Sequence, residues 1–366
     1  MAIFILSMDA EPLAKMLEFI NNNFKIGLNN PPFIIAEMSG NHNQSLDRAL
    51  EIVEAAASTG AHALKLQTYT ADTLTLDINK GEFFISDENS LWKGQSLYEL
   101  FKQAYTPWEW HKPIMLKAKE LGMLCFSSPF DNSAVNFLEE LNVPAYKIAS
   151  SEIIHLPLIK KVASTGKPII MSTGMASISE INEAVLAARE YGCEQLVLLK
   201  CTSSYPASPT EINLNTIPHM RDLFECEVGL SDHTLGIGTA IAAVALSATV
   251  IEKHFTLSRA AGGTDSAFSM EPNEMTNLVK ETERAWKSLG KIKYGPTKSE
   301  QANLKHRQSL YITHDMKAGE VLTPDNLRSI RPGLGLPPKY YEMLLGRKIK
   351  CNVSEGTATS WELLFE

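Results

Sequence analysis

The sequence predicts an α/β protein in which a (β/α)8 TIM barrel, residues 33–290, precedes a small β-rich domain, residues 307–366. Two observations predict this architecture. Short runs rich in Ile, Val and Leu alternate with longer amphipathic stretches, which is the pattern of parallel strands and helices. The chain has 366 residues, more than the roughly 250 to 300 at which one core stops growing, so a second, smaller domain is expected. A doubly wound open sheet is the alternative arrangement of the same elements.

Eight apolar runs are the candidate strands, and this number favours closure into a barrel. The predicted strands cover residues 33–39, 62–68, 123–129, 145–150, 168–173, 195–201, 227–232 and 250–256. The stretches between them that are predicted as helices include residues 46–59, 131–141, 178–191 and 272–288.

The rest of the chain is assigned from its composition and position. Residues 1–32 are treated as an N-terminal extension. Residues 70–106 form an insertion that we expect to be a long loop over or beside the barrel mouth. Residues 291–306 are polar and contain a Gly-Pro pair, so they are expected to be a linker. Residues 307–366 hold short β-like runs broken by Gly and Pro, with little sign of helix.

Charge and composition exclude several classes of function. The net charge of -8 offers no basic face for a nucleic acid backbone. No stretch reaches the roughly 18 continuous apolar residues of a membrane span, and the first residues lack the pattern of a signal peptide. The five cysteines are scattered and lack CxxC spacing, which favours a reducing compartment. The sequence therefore predicts a cytoplasmic protein that binds neither nucleic acid nor membranes.

Polar residues stand at the C-terminal ends of the predicted strands, where TIM barrels place their active sites. Helix capping would explain the Ser, Thr and Asp residues there about equally well. It does not explain Glu37, Lys65, Lys147 or His254. Charged groups that converge on one mouth need partners or a ligand, so a polar pocket is expected there.

Two histidines follow or end neighbouring predicted strands. His233 follows the seventh and His254 lies in the eighth. Adjacent strands are about 4.8 Å apart, so both imidazoles can reach one ion bound at about 2.1 Å. The competing interpretation makes one of them a hydrogen-bonded core histidine. Two protein nitrogens completed by water and substrate oxygens suit Mn²⁺ or Mg²⁺ better than a closed structural zinc site.

Two lysines and several serines predict an anion site at the same mouth. Lys65 and Lys147 supply compact positive charges, and strand-end hydroxyls supply donors, a combination suited to a phosphate and a carboxylate together. The hydroxyls belong to Ser128, Ser150, Ser172 and Ser231. In the alternative interpretation one lysine is a Schiff-base nucleophile, as in barrel aldolases, which requires a lowered pKa.

Glu37 is the main candidate for acid/base chemistry because it closes the first predicted strand. Glu152 and Asp265 are further acid candidates. The alternative for each is a salt bridge to a pocket lysine, since ion-pair networks also perturb carboxylates.

Seven segments resemble the sialic acid synthase family, in the order in which that family carries them: IIAEMSGNHNQ, LKLQTY, SSPF, AYKIASSE, STGM, GLSDHT and EKHFT. The second module, with KAGEVLT, NLRSIRPGLGL and GRKI, resembles the family's C-terminal antifreeze-like (SAF, β-clip) domain. The resemblance covers about residues 33–366. It implies an enzyme that condenses phosphoenolpyruvate with an amino-sugar aldehyde and water, and that releases phosphate by C–O cleavage.

The resemblance also implies roles for individual residues. Glu37 would be the acid/base residue, and His233 and His254 would bind the divalent metal that polarises the aldehyde. Residues implied to bind phosphoenolpyruvate are Lys65, Ser128, Lys147, Ser150, Ser172 and Ser231. Residues implied to contact the acceptor sugar are Gln67, Tyr205, Asp265 and Arg331. Arg331 would come from the antifreeze-like domain of a partner subunit, which implies a domain-swapped homodimer.

The segment GGTDSAFSMEP, residues 262–272, resembles the branch of the family that makes pseudaminic acid. Neuraminic and legionaminic acid synthases read closer to GPDHxxSxxP at this point. Together with the opening AEMSGNHNQ, this resemblance implies 2,4-diacetamido-2,4,6-trideoxy-L-altrose as the acceptor. Small Ser266 and Ala267 beside Phe268, in place of a basic residue, would suit such a deoxy sugar. The sequence departs from the family at Ser203, where related synthases carry asparagine.

Three alternatives to this branch remain open. A neuraminic or legionaminic acid synthase would use the same chemistry on another sugar. A Schiff-base aldolase, or a carbohydrate- or ice-binding protein built on a barrel scaffold, would be a different class of protein.

Overall fold

The computed structural model describes residues 17–18, 24–88 and 90–365 of the chain. It divides into two compact units, of which one ends at Gly290 and the other begins at Lys291. No helix in the part of the chain that is described has both the length and the apolar character needed to cross a bilayer.

The first unit contains a closed barrel of eight parallel strands, as predicted, and the open sheet is excluded. Each strand pairs with the next along the chain, and the eighth pairs with the first. The strands are β1 Phe33–Glu37, β2 Ala63–Thr68, β3 Leu124–Pro129, β4 Tyr146–Ile148, β5 Ile169–Ser172, β6 Leu196–Cys201, β7 Glu227–Ser231 and β8 Val250–His254.

The register places three predicted site residues side by side on adjacent strands. His254 on β8 lies opposite Glu37 on β1, and Glu37 lies opposite Lys65 on β2. All three are near or at the C-terminal ends of their strands, so closure of the barrel brings them to one mouth.

Helices follow the strands along the chain of the first unit. The helices are α1 Leu46–Ser58, α2 Ala71–Leu74, α3 Leu97–Ala104, α4 Trp108–Glu120, α5 Asn132–Glu140, α6 Leu156–Ala163, α7 Ile178–Glu190, α8 Thr216–Phe224, α9 Gly238–Ala245 and α10 Pro272–Leu289. The four helices for which the sequence predicts residue ranges are present as α1, α5, α7 and α10. Their ends agree with the predicted ends to within a residue.

Local sequence fixes several helix starts. The Ser45 hydroxyl accepts a hydrogen bond from the Arg48 amide at the start of α1, and the Asp131 carboxylate accepts one from the Ala134 amide at the start of α5. These side chains satisfy amides that have no partner within the helix, which stabilises each helix end by about 1 kcal/mol.

The barrel interior has its own apolar core, separate from the core between strands and helices. Ile35, Phe126 and Leu199 belong to the interior core. Ile26, which belongs to the predicted N-terminal extension, is fully buried in it. Lys25–Ile26 pairs antiparallel with Leu17–Glu18, so part of the extension closes the barrel at the end opposite the mouth. Residues 1–16 and 19–23 of the extension lie outside the described residues.

The predicted loop of residues 70–106 is partly wrong because it contains regular structure. It holds α2, a 3-10 helix at Gly81–Phe83 and the eight-residue helix α3. Ser96 and Glu99 form a reciprocal capping box that starts α3.

The second unit is a small, mainly antiparallel β structure, as predicted. Strands β9, Ser309–Ile312, and β10, Leu327–Ile330, pair antiparallel. Isolated bridges and a compact apolar core that includes Leu310, Leu327 and Ile349 complete it. Its helical parts are short: α11 at Tyr341–Leu344 and single 3-10 turns. The predicted linker, residues 291–306, falls within this unit and ends in a 3-10 helix at Gln301–His306.

Candidate active site

A cavity of about 310 Å³ opens at the C-terminal ends of the barrel strands. Strands β1, β2, β4, β5, β6, β7 and β8 all contribute lining residues. The side chains that line it from the strands are Glu37, Lys65, Gln67, Lys147, Ser172, Cys201, Ser231, Glu252 and His254. Apolar lining residues come in part from the insertion, through Trp92, Leu100, Phe101 and Ala104.

A buried carboxylate, Glu252, joins the two lysines. Its Oε1 is 3.2 Å from the ammonium nitrogen of Lys65 and 3.2 Å from that of Lys147. The Ser231 hydroxyl donates to the same oxygen at 3.1 Å. Lys65 also pairs with Glu37 at 2.7 Å. These four charged side chains are each at most 3 % exposed, so they form one desolvated network of two cations and two anions.

Glu252 is not among the residues predicted from the sequence, although the sequence carries a signal for it. In VIEKH, Glu252 lies two residues before His254, and residues two apart on a strand face the same side. A glutamate inside an apolar strand, on the face of a candidate ligand, indicates a buried charge that needs a partner.

The network keeps its carboxylates ionised despite burial. Burial opposes ionisation of Glu37, but Lys65, then His254, then Lys147 outweigh it and hold the pKa of this carboxyl well below its usual range. Glu252 behaves in the same way, because Lys147 and Lys65 lower its pKa against the effect of burial.

The pKa values of the two lysines shift in opposite directions. Burial opposes the charge of Lys65, yet Glu252 and Glu37 raise the pKa of its ammonium above the ordinary value. For Lys147, burial lowers the pKa and the neighbouring Lys65 adds to this, while Glu252 opposes them. A Schiff-base nucleophile needs a lowered pKa, and of the two lysines Lys147 shows a shift in that direction.

Three of the four predicted anion-binding serines line the cavity. Ser172 accepts a hydrogen bond from the Lys147 ammonium at 2.8 Å, and Ser150 accepts one from the Gly174 amide at 3.1 Å. Ser231 bonds to Glu252 as described above. The fourth, Ser128, is buried opposite Gln67 on the next strand but does not line the cavity. Its hydroxyl has no hydrogen-bond partner within the described residues.

The predicted histidine pair is brought together at the mouth. The ring centroids of His233 and His254 are 5.4 Å apart. Nδ1 of His233 bonds to the Thr202 carbonyl oxygen at 2.9 Å, an arrangement that orients metal-binding histidines and leaves Nε2 as the free ligand atom. Nε2 of His254 is 3.5 Å from a Glu37 oxygen. Its Nδ1 is buried and has no hydrogen-bond partner in the described residues.

These observations fit a divalent ion held by two imidazoles. Within residues 24–88 and 90–365, no three or more His, Cys, Asp or Glu side chains are grouped closely enough to hold a metal alone. An ion bound between His233 and His254 would therefore need water or substrate oxygens to complete its coordination, which suits Mn²⁺ or Mg²⁺.

A second buried ion pair positions the two histidines. The Lys253 ammonium is 2.7 Å from the Asp232 carboxylate and donates to the Thr234 carbonyl oxygen at 2.7 Å. The Asp232 carboxylate in turn accepts from the Thr234 amide and hydroxyl. Because His233 lies between Asp232 and Thr234, and His254 follows Lys253, this pair ties the turn of one histidine to the strand of the other.

The predicted sugar-contacting residues of the barrel also line the cavity. Gln67 donates to Glu37 at 2.8 Å and to Ser39 at 3.2 Å, and Ser39 donates to Asp265. The Tyr205 ring lies 4.5 Å from the His233 ring. Arg331 lies in the second unit, where its side chain is exposed.

The structure corrects the physical reason given for a deoxy sugar. Ser266 is buried and its hydroxyl donates to the Gly263 carbonyl. Ala267 is exposed, and neither residue lines the cavity. Phe268 is buried behind the histidines, 4.9 Å from the His254 ring. The part of the segment that faces the cavity is Thr264 with Asp265.

Glu152 is an additional cavity carboxyl with an unusual environment. One of its oxygens is buried and has no hydrogen-bond partner in the described chain. Burial raises its pKa to about 7, against the opposing effects of its backbone hydrogen bond and of Lys147 and Lys65. The folded state therefore favours the protonated acid.

We expect Glu152→Gln to remove a pH dependence of stability. The folded pKa is raised from 4.5 to about 7, so the stabilisation is full below about pH 4.5 and is lost as pH rises towards about 7. In ligand-free protein, the Tm of the wild type should fall relative to Glu152→Gln across this interval. Parallel Tm curves for the two proteins, measured beside the exposed control Glu190→Gln, would contradict the raised pKa.

The fold and the cavity together define the class of protein. A closed barrel with two buried lysines, strand-end serines and a histidine pair at its mouth is an enzyme site built for a small anionic substrate.

The chain belongs to the NeuB family, whose sequence profile matches residues 52–294, and the SAF domain profile matches residues 307–364. The pseudaminic acid synthase of Campylobacter jejuni strain NCTC 11168 is 42% identical over 326 residues, which are 89% of this chain and 94% of that protein. The pseudaminic acid synthase of Helicobacter pylori is 42% identical over 332 residues, 90% of this chain and 97% of its own.

A solved structure agrees with these relatives. The N-acetylneuraminic acid synthetase of Leptospira borgpetersenii, in complex with citrate, is 35% identical with a TM-score of 0.71, over 80% of this chain and 96% of that one. The family membership predicted from the sequence motifs, including the antifreeze-like domain, is confirmed.

Proposed function

We propose that this chain is a pseudaminic acid synthase. It condenses phosphoenolpyruvate with 2,4-diacetamido-2,4,6-trideoxy-L-altrose and water to give pseudaminic acid and phosphate. The observation that carries the proposal is the cavity, with its lysine and serine wall beside the histidine pair, in a chain 42% identical to two pseudaminic acid synthases. Neuraminic and legionaminic acid synthases share this chemistry, and the segment GGTDSAFSMEP favours pseudaminic acid over both.

Phosphoenolpyruvate would bind along the lysine and serine wall. Lys65 and Lys147 supply positive charge to its phosphate and carboxylate, and Ser150, Ser172 and Ser231 supply donors. Ser128 remains a proposed contact through its buried, unpartnered hydroxyl.

Charge balance supports a divalent metal in the same cavity. Lys65 and Lys147 are already matched by Glu37 and Glu252, so a phosphate and a carboxylate would add uncompensated negative charge to a desolvated site. His233 and His254 would hold Mn²⁺ or Mg²⁺. Such an ion polarises a carbonyl oxygen, here that of the acceptor aldehyde.

Glu37 is the residue placed to move a proton. Its carboxylate is ionised, and Lys65 and Gln67 fix its position. Carbon 3 of phosphoenolpyruvate attacks the aldehyde carbon, which leaves an alkoxide on the sugar and a positive charge on carbon 2, and water then adds to carbon 2. Glu37 accepts one proton of that water and passes it to the sugar alkoxide, and the tetrahedral intermediate then collapses to the ketone by cleavage of its C–O bond, its hydroxyl proton leaving with the phosphate.

The proposal is tested by offering two sugars in competition. With phosphoenolpyruvate present, we expect 2,4-diacetamido-2,4,6-trideoxy-L-altrose to be consumed much faster than N-acetylmannosamine, with one phosphate released per product. A preference for N-acetylmannosamine would refute the choice of acceptor. Activity that survives EDTA would refute the metal assignment, and borohydride trapping of a pyruvyl adduct on Lys65 or Lys147 would identify an aldolase.

We propose that a second subunit completes the site as a domain-swapped homodimer. Exposed apolar side chains follow three barrel strands at the mouth: Ile154 after β4, Met175 after β5 and Leu235 after β7. Such residues at the rim favour coverage by another protein surface. In the second unit, Arg331 and Leu334 are exposed on one short segment, and we propose that the partner's copy of this segment covers the mouth.

Mixing two variants, each assayed at an acceptor concentration at which it shows no activity alone, tests this arrangement. Arg331→Ala should weaken acceptor binding, and His254→Ala should inactivate its own barrel. In a mixed dimer, the barrel of the Arg331→Ala chain would receive an intact arginine from its partner, so activity should return on mixing. Unchanged inactivity after subunit exchange, checked by mass spectrometry of the mixed dimer, would show that Arg331 does not act across subunits.

We propose a cytoplasmic location. All five cysteines are free, and four of them are buried. Free thiols fit a reducing compartment.

A further inference from the structure

Trp92 is the one tryptophan that lines the cavity among the described residues. It lies in the insertion, residues 70–106, which also supplies Leu100 and Phe101 to the cavity lining. Its indole Nε1 donates to the Thr264 carbonyl oxygen at 3.0 Å. Trp92 therefore connects the insertion to the segment GGTDSAFSMEP, which the sequence singled out as distinctive.

Aromatic rings that line the cavity connect the histidine pair to Trp92. The His233 and Tyr205 ring centroids are 4.5 Å apart, and those of Tyr205 and Trp92 are 6.0 Å apart. For a sugar whose aldehyde carbon lies at the histidines, this row of rings offers the far end, carbon 6, a path past Tyr205 to Trp92.

We infer that Trp92 is a specificity-determining residue that recognises the 6-methyl group of a 6-deoxy acceptor sugar. This inference rests on the proposed function. A methyl group gains free energy by leaving water for an aromatic surface, whereas a hydroxyl at the same position loses hydrogen bonds to water. The side chains of Trp92, Leu100 and Phe101 offer such a hydroxyl no partner of their own, because the indole nitrogen is already bonded to the carbonyl oxygen of Thr264, which also lines the cavity.

The inference replaces the reason based on Ser266 and Ala267, which do not line the cavity. Selectivity for the deoxy sugar would come instead from Trp92 in the insertion, which is held in position by its hydrogen bond to the Thr264 carbonyl oxygen.

The test compares two acceptors that differ only at carbon 6: 2,4-diacetamido-2,4,6-trideoxy-L-altrose and its 6-hydroxy counterpart. The wild type should prefer the deoxy sugar in kcat/KM. Trp92→Ala should lower kcat/KM for the deoxy sugar about 10-fold and change that of the hydroxy sugar much less, because one methyl in an apolar pocket is worth about this factor. Trp92→Phe keeps an aromatic face without the bond to Thr264, so it should retain most of the preference.

Leu91→Ala is the matched control, since Leu91 is the neighbouring exposed apolar residue and does not line the cavity. It should leave both rates unchanged. Equal losses for both sugars in Trp92→Ala, or loss of the preference in Trp92→Phe, would overturn the inference and make Trp92 a support for the 262–268 segment. If the wild type turns over neither sugar with phosphoenolpyruvate, the proposed function itself fails.

Discussion

Replacing His254 with alanine is expected to lower kcat/KM for the condensation on the order of 10³-fold while the barrel stays folded, because a metal ion acting on a carbonyl supplies several kcal/mol to the transition state. The imidazole lines the cavity, and its Nδ1 makes no hydrogen bond to the described chain. Its loss should remove a ligand and leave the buried ion pairs in place, because Glu37, which lies 3.5 Å from Nε2, keeps Lys65 and Gln67 as partners. Phosphate release gives the rate, and titration with Mn²⁺ followed by electron paramagnetic resonance gives the affinity of the ion.

The control is His219→Ala, an exposed histidine on α8 that should change neither quantity. If His254→Ala binds Mn²⁺ as tightly as the wild type, His254 is not a ligand. In that case its proximity to Glu37 would have to explain any loss of rate.

Replacing Glu252 with alanine should cost about 3 to 5 kcal/mol of the free energy of unfolding, because it leaves a buried charge without its partner. Lys147 would be the more affected lysine. It would keep only the Ser172 hydroxyl as a hydrogen-bond partner, whereas Lys65 would keep Glu37. Urea unfolding of the ligand-free protein measures the difference.

Glu283→Ala serves as the control for this prediction. It removes an exposed ion pair with Lys287, and such pairs contribute about 0 to 1 kcal/mol. Equal destabilisation by Glu252→Ala and Glu283→Ala would mean that the buried network does not stabilise the barrel as described.

The barrel could be predicted because its signals are local. Apolar runs and amphipathic stretches mark strands and helices, and eight strands in one unit favour closure. The strand-end residues could be predicted from the same pattern. Glu37, Lys65 and His254 come together because their strands are neighbours once the eight strands close in sequence order.

Other parts of the site depend on contacts that the sequence pattern does not specify. Glu252 meets Lys147 across the barrel interior, from strands that are not neighbours in the sheet. The partnership of Asp232 with Lys253 requires the register of two strands to be known. Trp92 reaches Thr264 from an insertion that was interpreted as a loop.

Two groups of residues assigned to the site from the sequence do not line the cavity, because the sequence does not show in which direction a side chain points. Ser128 was placed with the anion-binding serines, but it lies outside the cavity lining. Ser266 and Ala267 were assigned to the acceptor pocket because of their small size, and the 3-10 turn at Ser266–Phe268 directs one inward to the protein and the other to solvent.

The central claim is a condensation with C–O cleavage that yields pseudaminic acid, and phosphoenolpyruvate labelled with ¹⁸O at its bridging oxygen tests it most directly. The label is followed in phosphate by ³¹P nuclear magnetic resonance and in the sugar acid by mass spectrometry, with 2,4-diacetamido-2,4,6-trideoxy-L-altrose as acceptor. We expect all of the label in phosphate and an unlabelled product with the mass of pseudaminic acid. Bridging label retained in the sugar acid, or no sugar acid formed from this acceptor, would contradict the claim.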